Sequence, residues 1–340
     1  MPSIRGGGYD STSEGSRADA RLRASVEVDA GGTHVTVTGG GSPLRALIRS
    51  ERLDHPPILL WKHFRIDEPR ELARRTVLFY RDHRLAAAKL MPDIPLLFED
   101  HSLSSWSQVA QLRRFGPITT VGRAAEYVHA VELTRRELES EDVLLVTIFS
   151  PLALIGLWCG PAGMREMAEA DRSIAHEVLW ALAGVVNGLA TACLSAGADG
   201  VYYSCWGQDV LSASDYAELG VPYDLAGLRG AVGAEFRLLH LHGAVRGGME
   251  RYAGYPVQVV GWSEVESPIT LAQGAQVLAG KFVMGGIPED RSGPAEATTE
   301  AHVGELMERL ESRFVLAPGC SLPDDIGDEA LASLRALAGS

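Results

Sequence analysis

The chain has 340 residues, with 31 lysines and arginines against 44 aspartates and glutamates, so its net charge is −13. This acidic balance argues against a protein that binds nucleic acid through a basic surface, and against electrostatic docking on an anionic membrane. The apolar runs are short and interrupted, and no basic segment followed by an apolar one opens the chain. We therefore expect neither a membrane span nor a secretory signal, and we expect the protein in the cytoplasm.

The first 42 residues differ from the rest of the chain. Residues 1–24 are rich in Gly, Ser, Arg and Asp without apolar periodicity, which predicts a disordered tail. Residues 25–42 carry two alternating stretches around Gly31-Gly32, a pattern typical of a β-hairpin. We interpret this hairpin as a short extension that either covers one end of the following domain or contacts a second copy in a homodimer.

From residue 43 to residue 340, short apolar runs alternate with amphipathic stretches, which is typical of parallel β-α-β units. The runs are Ile58–Trp61, Ala88–Met91, Val143–Phe149, Gly200–Ser204, Phe236–Leu241, Val257–Trp262, Phe282–Met284 and Phe314–Ala317. The amphipathic stretches are 68–86, 121–139, 164–195, 212–236, 267–279 and 295–313. Eight such runs predict an α/β fold of the (β/α)8 TIM-barrel class. An open doubly wound sheet is the alternative, although no G-x-G-x-x-G follows the first run.

In a barrel, the chemistry lies at the carboxyl ends of the strands. The segments that follow the predicted strands each carry Trp, His, Cys or an acid, and together they hold four of the six tryptophans. This predicts a pocket with aromatic walls. The residues that we expect to contact substrate are Trp61, Tyr203, Trp206, Trp262 and Glu264.

The sharpest group of these residues is His240-x-His242 together with Cys320. Positions two apart on a strand point to the same side, and His and Cys are ligands suited to zinc. Three protein ligands with one open position are typical of a catalytic zinc site. By spacing alone, an H-x-H pair such as His240 and His242 is more often two structural histidines or a contact for an anion than a metal site.

Five motifs in order resemble the uroporphyrinogen decarboxylase superfamily, over roughly 280 of the residues from Pro57 onward. The segment 198–204, followed by Tyr216 through Tyr223, is similar to the family's "GADGI…F…PY". Segments 240–243 and 259–262 resemble its "H-x-C-G" and "LDW" strands. Segments 283–288 and 318–323 resemble its "QGN-DP" turn and its final "G-H/C-x-(hydrophobic)-P" loop. This resemblance also implies a TIM barrel.

One branch of the superfamily is the cofactor-free decarboxylase. It has an arginine-bearing run after the first strand, where this chain has Trp61 to Asp67 with a single arginine. It also has His in the last loop, where this chain has Cys320. The segment Leu97–Asp100 resembles its "L-F-S-D", so the resemblance gives Asp100 as a match for the pyrrole-binding aspartate. A metal-free decarboxylase of a porphyrinogen or another electron-rich ring is therefore the alternative function.

The other branch contains zinc-dependent methyltransferases that serve corrinoid proteins and thiols, identified by His-x-Cys and a distant Cys. His240 and Cys320 match the outer positions, and His242 replaces the central Cys. The resemblance implies one Zn²⁺ per chain on His240, His242 and Cys320. It also implies methyl transfer to a zinc-activated thiol, with methylcobalamin on a separate corrinoid protein as the donor.

The exchange of a thiolate for an imidazole makes the zinc site less anionic, so a bound thiol would be a poorer nucleophile and a bound water more acidic. A zinc lyase or hydrolase recruited to a specialised pathway is therefore a further alternative. For acid–base work or substrate contact in any of these reactions, the candidates are Asp100, Glu99 and His63.

Overall fold

The computed structural model describes residues 42–51, 53–96, 103–114, 122–289, 298–311 and 313–337. These residues belong to one unit of the chain, residues 41–340. The predicted tail lies outside the described residues, as does the predicted hairpin except for Ser42. The candidate residues Glu99 and Asp100 also lie outside them.

Seven strands form one parallel sheet, in which neighbours along the chain are neighbours in the sheet. They are β1 (Ala88–Leu90), β2 (Leu144–Phe149), β3 (Gly200–Cys205), β4 (Phe236–Leu241), β5 (Val259–Trp262), β6 (Phe282–Ile287) and β7 (Phe314–Pro318). Seven of the predicted runs are thereby confirmed as strands. The sequential order also removes the doubly wound alternative, in which the strand order reverses at a switch point.

Backbone hydrogen bonds from residues 57–59 link β7 to the chain just before β1. Ile58 forms a single parallel bridge with Leu316 of β7. The Leu59 amide donates to the Leu316 carbonyl, and the Leu316 amide donates to the Pro57 carbonyl. On the other side, the Ala86 amide donates to the Ile58 carbonyl. The first predicted strand is thus one bridge, and the prediction of eight full strands was wrong for the described residues. The two prolines before Ile58 lack the amide donors of a longer ladder.

Helices precede, separate and follow the strands along the chain. They are α1 (Pro43–Ile48), α2 (Pro69–Asp82), α3 (Trp106–Val109), α4 (Ala124–Glu137), α5 (Pro151–Glu169), α6 (Arg172–Ser195), α7 (Ala213–Leu219), α8 (Val221–Leu228), α9 (Leu271–Val277), α10 (Glu300–Arg309) and α11 (Asp328–Ala336). The predicted helix over 164–195 spans parts of both α5 and α6. The Asp171 side chain accepts from the Ser173 amide and caps the start of α6, so a new helix begins there. The predicted helix over 212–236 is also divided, at Gly220.

Side chains along each strand alternate between the interior of the curled sheet and the layer of helices outside it. Leu238 and Val315 belong to the interior core, whereas Leu239 and Leu316 belong to the core between sheet and helices. Leu44 of α1 joins the interior core. Toward the carboxyl ends of the strands, buried polar side chains replace the apolar ones at interior positions. They are Lys89, Thr147, Ser204 and His240. The buried polar side chains of the sheet interior are therefore concentrated at the carboxyl ends of the strands.

Helix α6 is unusually apolar. It is 24 residues long and contains a window of mean hydropathy 1.7, so its length and composition match those of a membrane-crossing helix. Half of that window is buried inside the protein, and α6 packs against α5 and α8. Length and composition do not separate a span from a core helix, and the packing of α6 is that of a core helix.

Candidate metal centre

A cavity of about 180 Å³ lies where the carboxyl ends of the strands meet. Its lining combines aromatic walls with ionisable groups from the segment before β1, from β1, from the end of β4 and the residues after it, and from the loop after β7. The aromatic residues are Trp61, Phe149, Tyr202 and Trp206, and the ionisable ones are His63, Lys89, His240, His242 and Cys320. The location agrees with the expectation for a barrel enzyme.

The three predicted metal ligands come together in this cavity. His240 lies in β4, His242 follows that strand, and Cys320 follows β7. Each offers one ligand atom, and these atoms all lie within 4.8 Å of one another. Cys320 Sγ is 3.5 Å from His242 Nδ1. The alternation of the strand explains why both histidines point inward, whereas the approach of Cys320 depends on the curvature of the sheet.

The two imidazoles are held by aromatic neighbours. The His240 ring stacks on Tyr202 with centroids 5.5 Å apart, and the His242 ring meets the edge of Trp206 at 4.9 Å. Burial, and to a lesser degree His242, keeps the pKa of His240 well below its usual range. Burial also lowers the pKa of His242. Both rings are therefore held in the neutral form that binds metals.

The donor set fits a zinc ion. The buried Nδ1 of His240 has no hydrogen-bond partner among the described residues, which is costly unless a ligand occupies it. Burial raises the pKa of the Cys320 thiol to about 11. A bound dication reverses that preference, because a coordinating thiol loses its proton. Two nitrogens and one sulfur are borderline-soft ligands, and three ligands leave one position for a substrate.

Lys89 is a cavity residue that the sequence analysis missed. Its side chain is 6% exposed, and Nζ lies 3.0 Å from Thr147 Oγ1 and 3.1 Å from Met91 Sδ. The same atom lies 4.1 Å from the ring centroid of Tyr202 and 4.9 Å from that of Trp61. Burial lowers the pKa of Lys89 to about 7. The only sequence signal for it is a single charge inside an apolar run.

His63 lines the cavity in a pair with Asp93, a second residue that the sequence analysis missed. His63 Nδ1 is 2.5 Å from Asp93 Oδ1. The amides of Phe64 and Arg65 donate to Asp93 Oδ2 at 2.7 and 3.0 Å, and the Asp93 side chain is 1% exposed. Because Nδ1 is engaged, Nε2 is the ring nitrogen that remains for a ligand. Asp93 is the first acid after β1 and could have been found from that position.

Two of the five predicted substrate contacts, Trp61 and Trp206, line the cavity. Tyr203 instead faces the helix layer and packs in the outer core, while its neighbour Tyr202 faces the cavity. The Trp262 indole is buried and donates to the Ile269 carbonyl.

Glu264 is also absent from the cavity lining. Its Oε1 accepts from the Leu271 amide at 2.8 Å, at the start of α9. The carboxylate therefore satisfies a helix N-terminus. The candidates Glu99 and Asp100 stay predictions, since the structure does not describe them.

A larger hollow of about 560 Å³ lies elsewhere, lined by residues that include Leu47 of α1, Phe282 at the start of β6 and Arg313 just before β7. Its described lining contains neither histidine nor cysteine. Size alone would favour it, but its polar lining consists of Ser50, Glu51, Glu308, Glu311 and Arg313, without the imidazole and thiol donors that meet in the smaller cavity.

Comparisons with known proteins agree with this fold. Residues 91–338 match the family model "Uroporphyrinogen decarboxylase (URO-D)". A methyltransferase from Methanosarcina mazei has a similar structure, with a TM-score of 0.73 and 15% identity over 87% of this chain and 97% of that one. A Listeria monocytogenes protein assigned as a putative vitamin-B12-independent methionine synthase has a TM-score of 0.55 and 15% identity, over 84% of this chain and 94% of that one. No curated protein sequence matches the chain. At such identities the structural likenesses show the fold alone.

Proposed function

The chain belongs to the uroporphyrinogen decarboxylase family, and within that family we propose that it is a zinc-dependent methyltransferase whose acceptor is a thiol. One observation carries the proposal: ligand atoms of His240, His242 and Cys320 lie within 4.8 Å of one another at the cavity. A decarboxylase that uses no cofactor has no need of such a donor set. The two structural likenesses, one to a methyltransferase, are compatible with the proposal.

Zinc on these three residues would lower the pKa of an acceptor thiol, so that a thiolate is available to attack the methyl group. Trp61, Tyr202 and Trp206 contribute aromatic walls to the cavity in which this thiol would bind. The cavity of about 180 Å³ is below the ~300–1,000 Å³ typical of pockets for drug-sized ligands. It therefore suits a small thiol better than a tetrapyrrole.

The His63–Asp93 pair is suited to take the proton that the thiol releases. Asp93 accepts from the His63 ring or from its protonated form, and two backbone amides hold the carboxylate in place. An imidazole oriented in this way is a common general base. Glu99 and Asp100 remain candidates for substrate contact or for the same proton transfer.

The proposed donor is methylcobalamin on a separate corrinoid protein, since no segment of this sequence resembles a corrinoid-binding motif. The four cysteines are free thiols, which suits the reducing cytoplasm that we propose as the compartment. The methyl group would have to enter from the open ends of the strands, where the cavity lies.

His242 supports a second candidate, a zinc lyase or hydrolase. An imidazole in place of a thiolate leaves the metal more electron-poor, which favours activation of water over activation of a thiol. Zinc without any demethylation of methylcobalamin in the presence of thiols would favour this second function.

The first experiment is the metal content of protein purified without chelator or metal-affinity resin, measured by plasma mass spectrometry. We expect about one zinc per chain in the wild type, as three-ligand sites hold one ion, and none in His240→Ala or Cys320→Ser. Matched controls are His176→Ala and Cys159→Ser, whose side chains bond to Tyr223, Glu218 and Ile155 away from the cavity. A wild type that takes up no zinc when zinc is offered would contradict the proposal.

A further inference from the structure

One face of α6, the longest described helix, is exposed and almost free of charge. Six residues at helical spacing share this face and are exposed or half-buried along about four turns. They are Glu177, Trp180, Ala181, Gly184, Gly188 and Thr191, and we call them the α6 face. A helix at the surface of a protein normally presents charged and polar side chains to water, whereas only Glu177 carries a charge here.

Trp180 is the largest apolar side chain of the α6 face. It is 60% exposed, although its ring meets the edge of Tyr223 with the centroids 5.8 Å apart. Val232 is 68% exposed and follows Gly230, whose carbonyl accepts a hydrogen bond from the Thr191 hydroxyl, so it extends the apolar surface beside α6. Tryptophan is enriched among the residues that carry binding energy at protein interfaces. This surface is therefore suited to a contact with another protein.

Gly184 and Gly188 form a shallow notch in the same face. Glycine inside a helix destabilises it relative to alanine, so two glycines at these positions need a reason. A Cβ on Gly184 would meet no other atom within 4 Å, so packing within the chain does not require a glycine there. The close approach of a second helix does, because the distance between packed helices depends on the side chains at the contact.

We propose that the α6 face binds the α6 face of a second copy of this chain, with the two helices antiparallel and the two-fold axis at Gly184. Trp180 lies four residues before Gly184, and Gly188 lies four residues after it. An antiparallel pair therefore places each Trp180 over Gly188 of the second copy, so that a bulky side chain meets a notch. The face is thus complementary to itself, as a two-fold dimer requires.

The charges favour the antiparallel arrangement over a parallel one. Glu177 lies seven residues before Gly184, and Thr191 lies seven residues after it, so each Glu177 comes near Thr191 of the second copy. Arg229 is adjacent to Gly230, which contacts Thr191. Glu177 and Arg229 are both exposed, and neither has an ion-pair partner among the residues that the structure describes. A parallel pair would instead bring the two Glu177 carboxylates together, which is unfavourable.

The α6 face suits a reversible protein contact better than a lipid surface. Glycine and alanine bury little apolar area, so only Trp180 would insert well into lipid. The net charge of −13 also opposes binding to an anionic membrane. One helix face is small compared with the ~800 Å² per partner of a standard stable interface. We therefore expect an equilibrium between monomer and dimer rather than a permanent dimer.

Sedimentation velocity of the full chain over a range of concentrations tests the proposal. We expect the wild type to pass from monomer to dimer as its concentration rises to roughly 0.5 mM, the range of weak association. Gly184→Leu should stay monomeric, because leucine fills the notch. Its melting temperature should be unchanged or higher, since leucine is the better helix former and has space in the monomer. Loss of the dimer is thereby distinguished from misfolding.

Gly304→Leu is the matched control. Gly304 is an exposed glycine of α10, and a Cβ there would also meet no other atom within 4 Å. Because α10 lies between β6 and β7 and α6 between β2 and β3, this variant should dimerise like the wild type. A wild type that stays monomeric, or a Gly184→Leu variant that still dimerises, would overturn the proposal. So would a monomeric wild type that floats with phosphatidylcholine vesicles.

Exchange of the two charges tests the antiparallel arrangement. Glu177→Arg and Arg229→Glu should each weaken the dimer about tenfold, because a two-fold pair contains each contact twice and the reversal makes both repulsive. The double variant, with both charges exchanged, should dimerise like the wild type. A double variant that dimerises no more tightly than the single ones would overturn this arrangement.

Discussion

Two polar clusters, one partly and one fully buried, lie on opposite faces of the sheet around β3. The inner cluster consists of Lys89, His240, His242 and Cys320 and lines the cavity. The outer cluster consists of Cys205, Tyr216, Asp224 and Tyr255, between the sheet and the segments that cover it. In the outer cluster, Asp224 is fully buried, and its Oδ2 accepts from the hydroxyls of Tyr216 and Tyr255, both at 2.9 Å.

Several properties that often guide the search for active sites are shared by the two clusters. Burial raises the pKa of Asp224 to about 6 and that of Cys320 to about 11. Each cluster also has a buried atom without a partner among the described residues, Asp224 Oδ1 outside and His240 Nδ1 inside. The difference lies in access and donor type. The inner cluster borders a cavity with soft donors, whereas the outer carboxylate is enclosed by phenols. A search for active sites based on shifted pKa values alone would select both clusters.

The largest expected difference is in metal affinity. Cys320→Ala should weaken zinc binding roughly 1,000-fold, since structural zinc sites are stabilised by about 10–16 kcal/mol shared among their ligands. Cys205→Ala, which removes a thiol from the outer cluster, should leave the zinc affinity unchanged. Competition with a chromophoric chelator measures both. Equal losses in the two variants would mean that the clusters do not differ in this way.

The next largest effect is the pH dependence of folding stability that the outer cluster produces. The pKa of Asp224 is raised from 3.8 to about 6 by burial, so the native state binds more protons than the unfolded state between these values. Its contribution to stability is fully present below about pH 4 and is lost as the pH rises to about 6. At 1.36 kcal/mol per pKa unit, this amounts to about 3 kcal/mol.

Asp224→Asn should remove that dependence. The difference in unfolding free energy between wild type and variant, measured by urea titration at several pH values, should change by about 3 kcal/mol across the window. A difference that stays constant with pH would contradict the account of the outer cluster. Zinc content of the variant serves as the control and should not change.

A smaller effect is expected for the carboxylate beside the cavity. Asp93→Asn weakens the contact that orients His63, and we expect it to remove about 10- to 100-fold of the roughly 100- to 10,000-fold that a positioned general base contributes. We expect the rate of methyl transfer to fall by that factor with the zinc content and the KM for the thiol little changed. A change in KM alone would assign Asp93 to binding.

The smallest effect is expected for Tyr255→Phe. It removes one of the two hydroxyls that donate to Asp224, and an ordinary hydrogen bond contributes about 1 kcal/mol to stability. Denaturant unfolding at pH 7 should show a loss of that size, and thiol binding should stay the same. A loss of thiol binding would mean that the outer cluster supports the cavity.

Much of the fold follows from the sequence because strand–helix alternation has few topological solutions. The strand Phe236–Leu241 has the predicted bounds, since its run is flanked by a clear turn. It is harder to predict from the sequence which face of the sheet a side chain occupies. All six residues of β3 are buried, so its sequence shows no alternation of apolar and polar residues that would tell one face from the other. The sequence therefore points to Tyr203 as a substrate contact, whereas in the structure Tyr202 faces the cavity.

The residue types of the metal ligands and their spacing along the chain could be predicted from the sequence. Their proximity in the structure could not. His240 lies in β4 and His242 comes directly after its end, whereas Cys320 comes from a loop 78 residues later and approaches only because the sheet curls. Lys89 was missed because a lone lysine in a strand is normally a surface residue. Its burial depends on the aromatic rings of Trp61 and Tyr202, which come from other segments.

The most direct test of the account is zinc X-ray absorption on the purified protein, with and without a small thiol. We predict two nitrogen ligands at about 2.0–2.1 Å and one sulfur at about 2.3 Å, with a second sulfur when the thiol is added. Zinc with no sulfur ligand, or a sulfur count that the thiol leaves unchanged, would contradict the claim that His240, His242 and Cys320 hold a metal that activates a thiol.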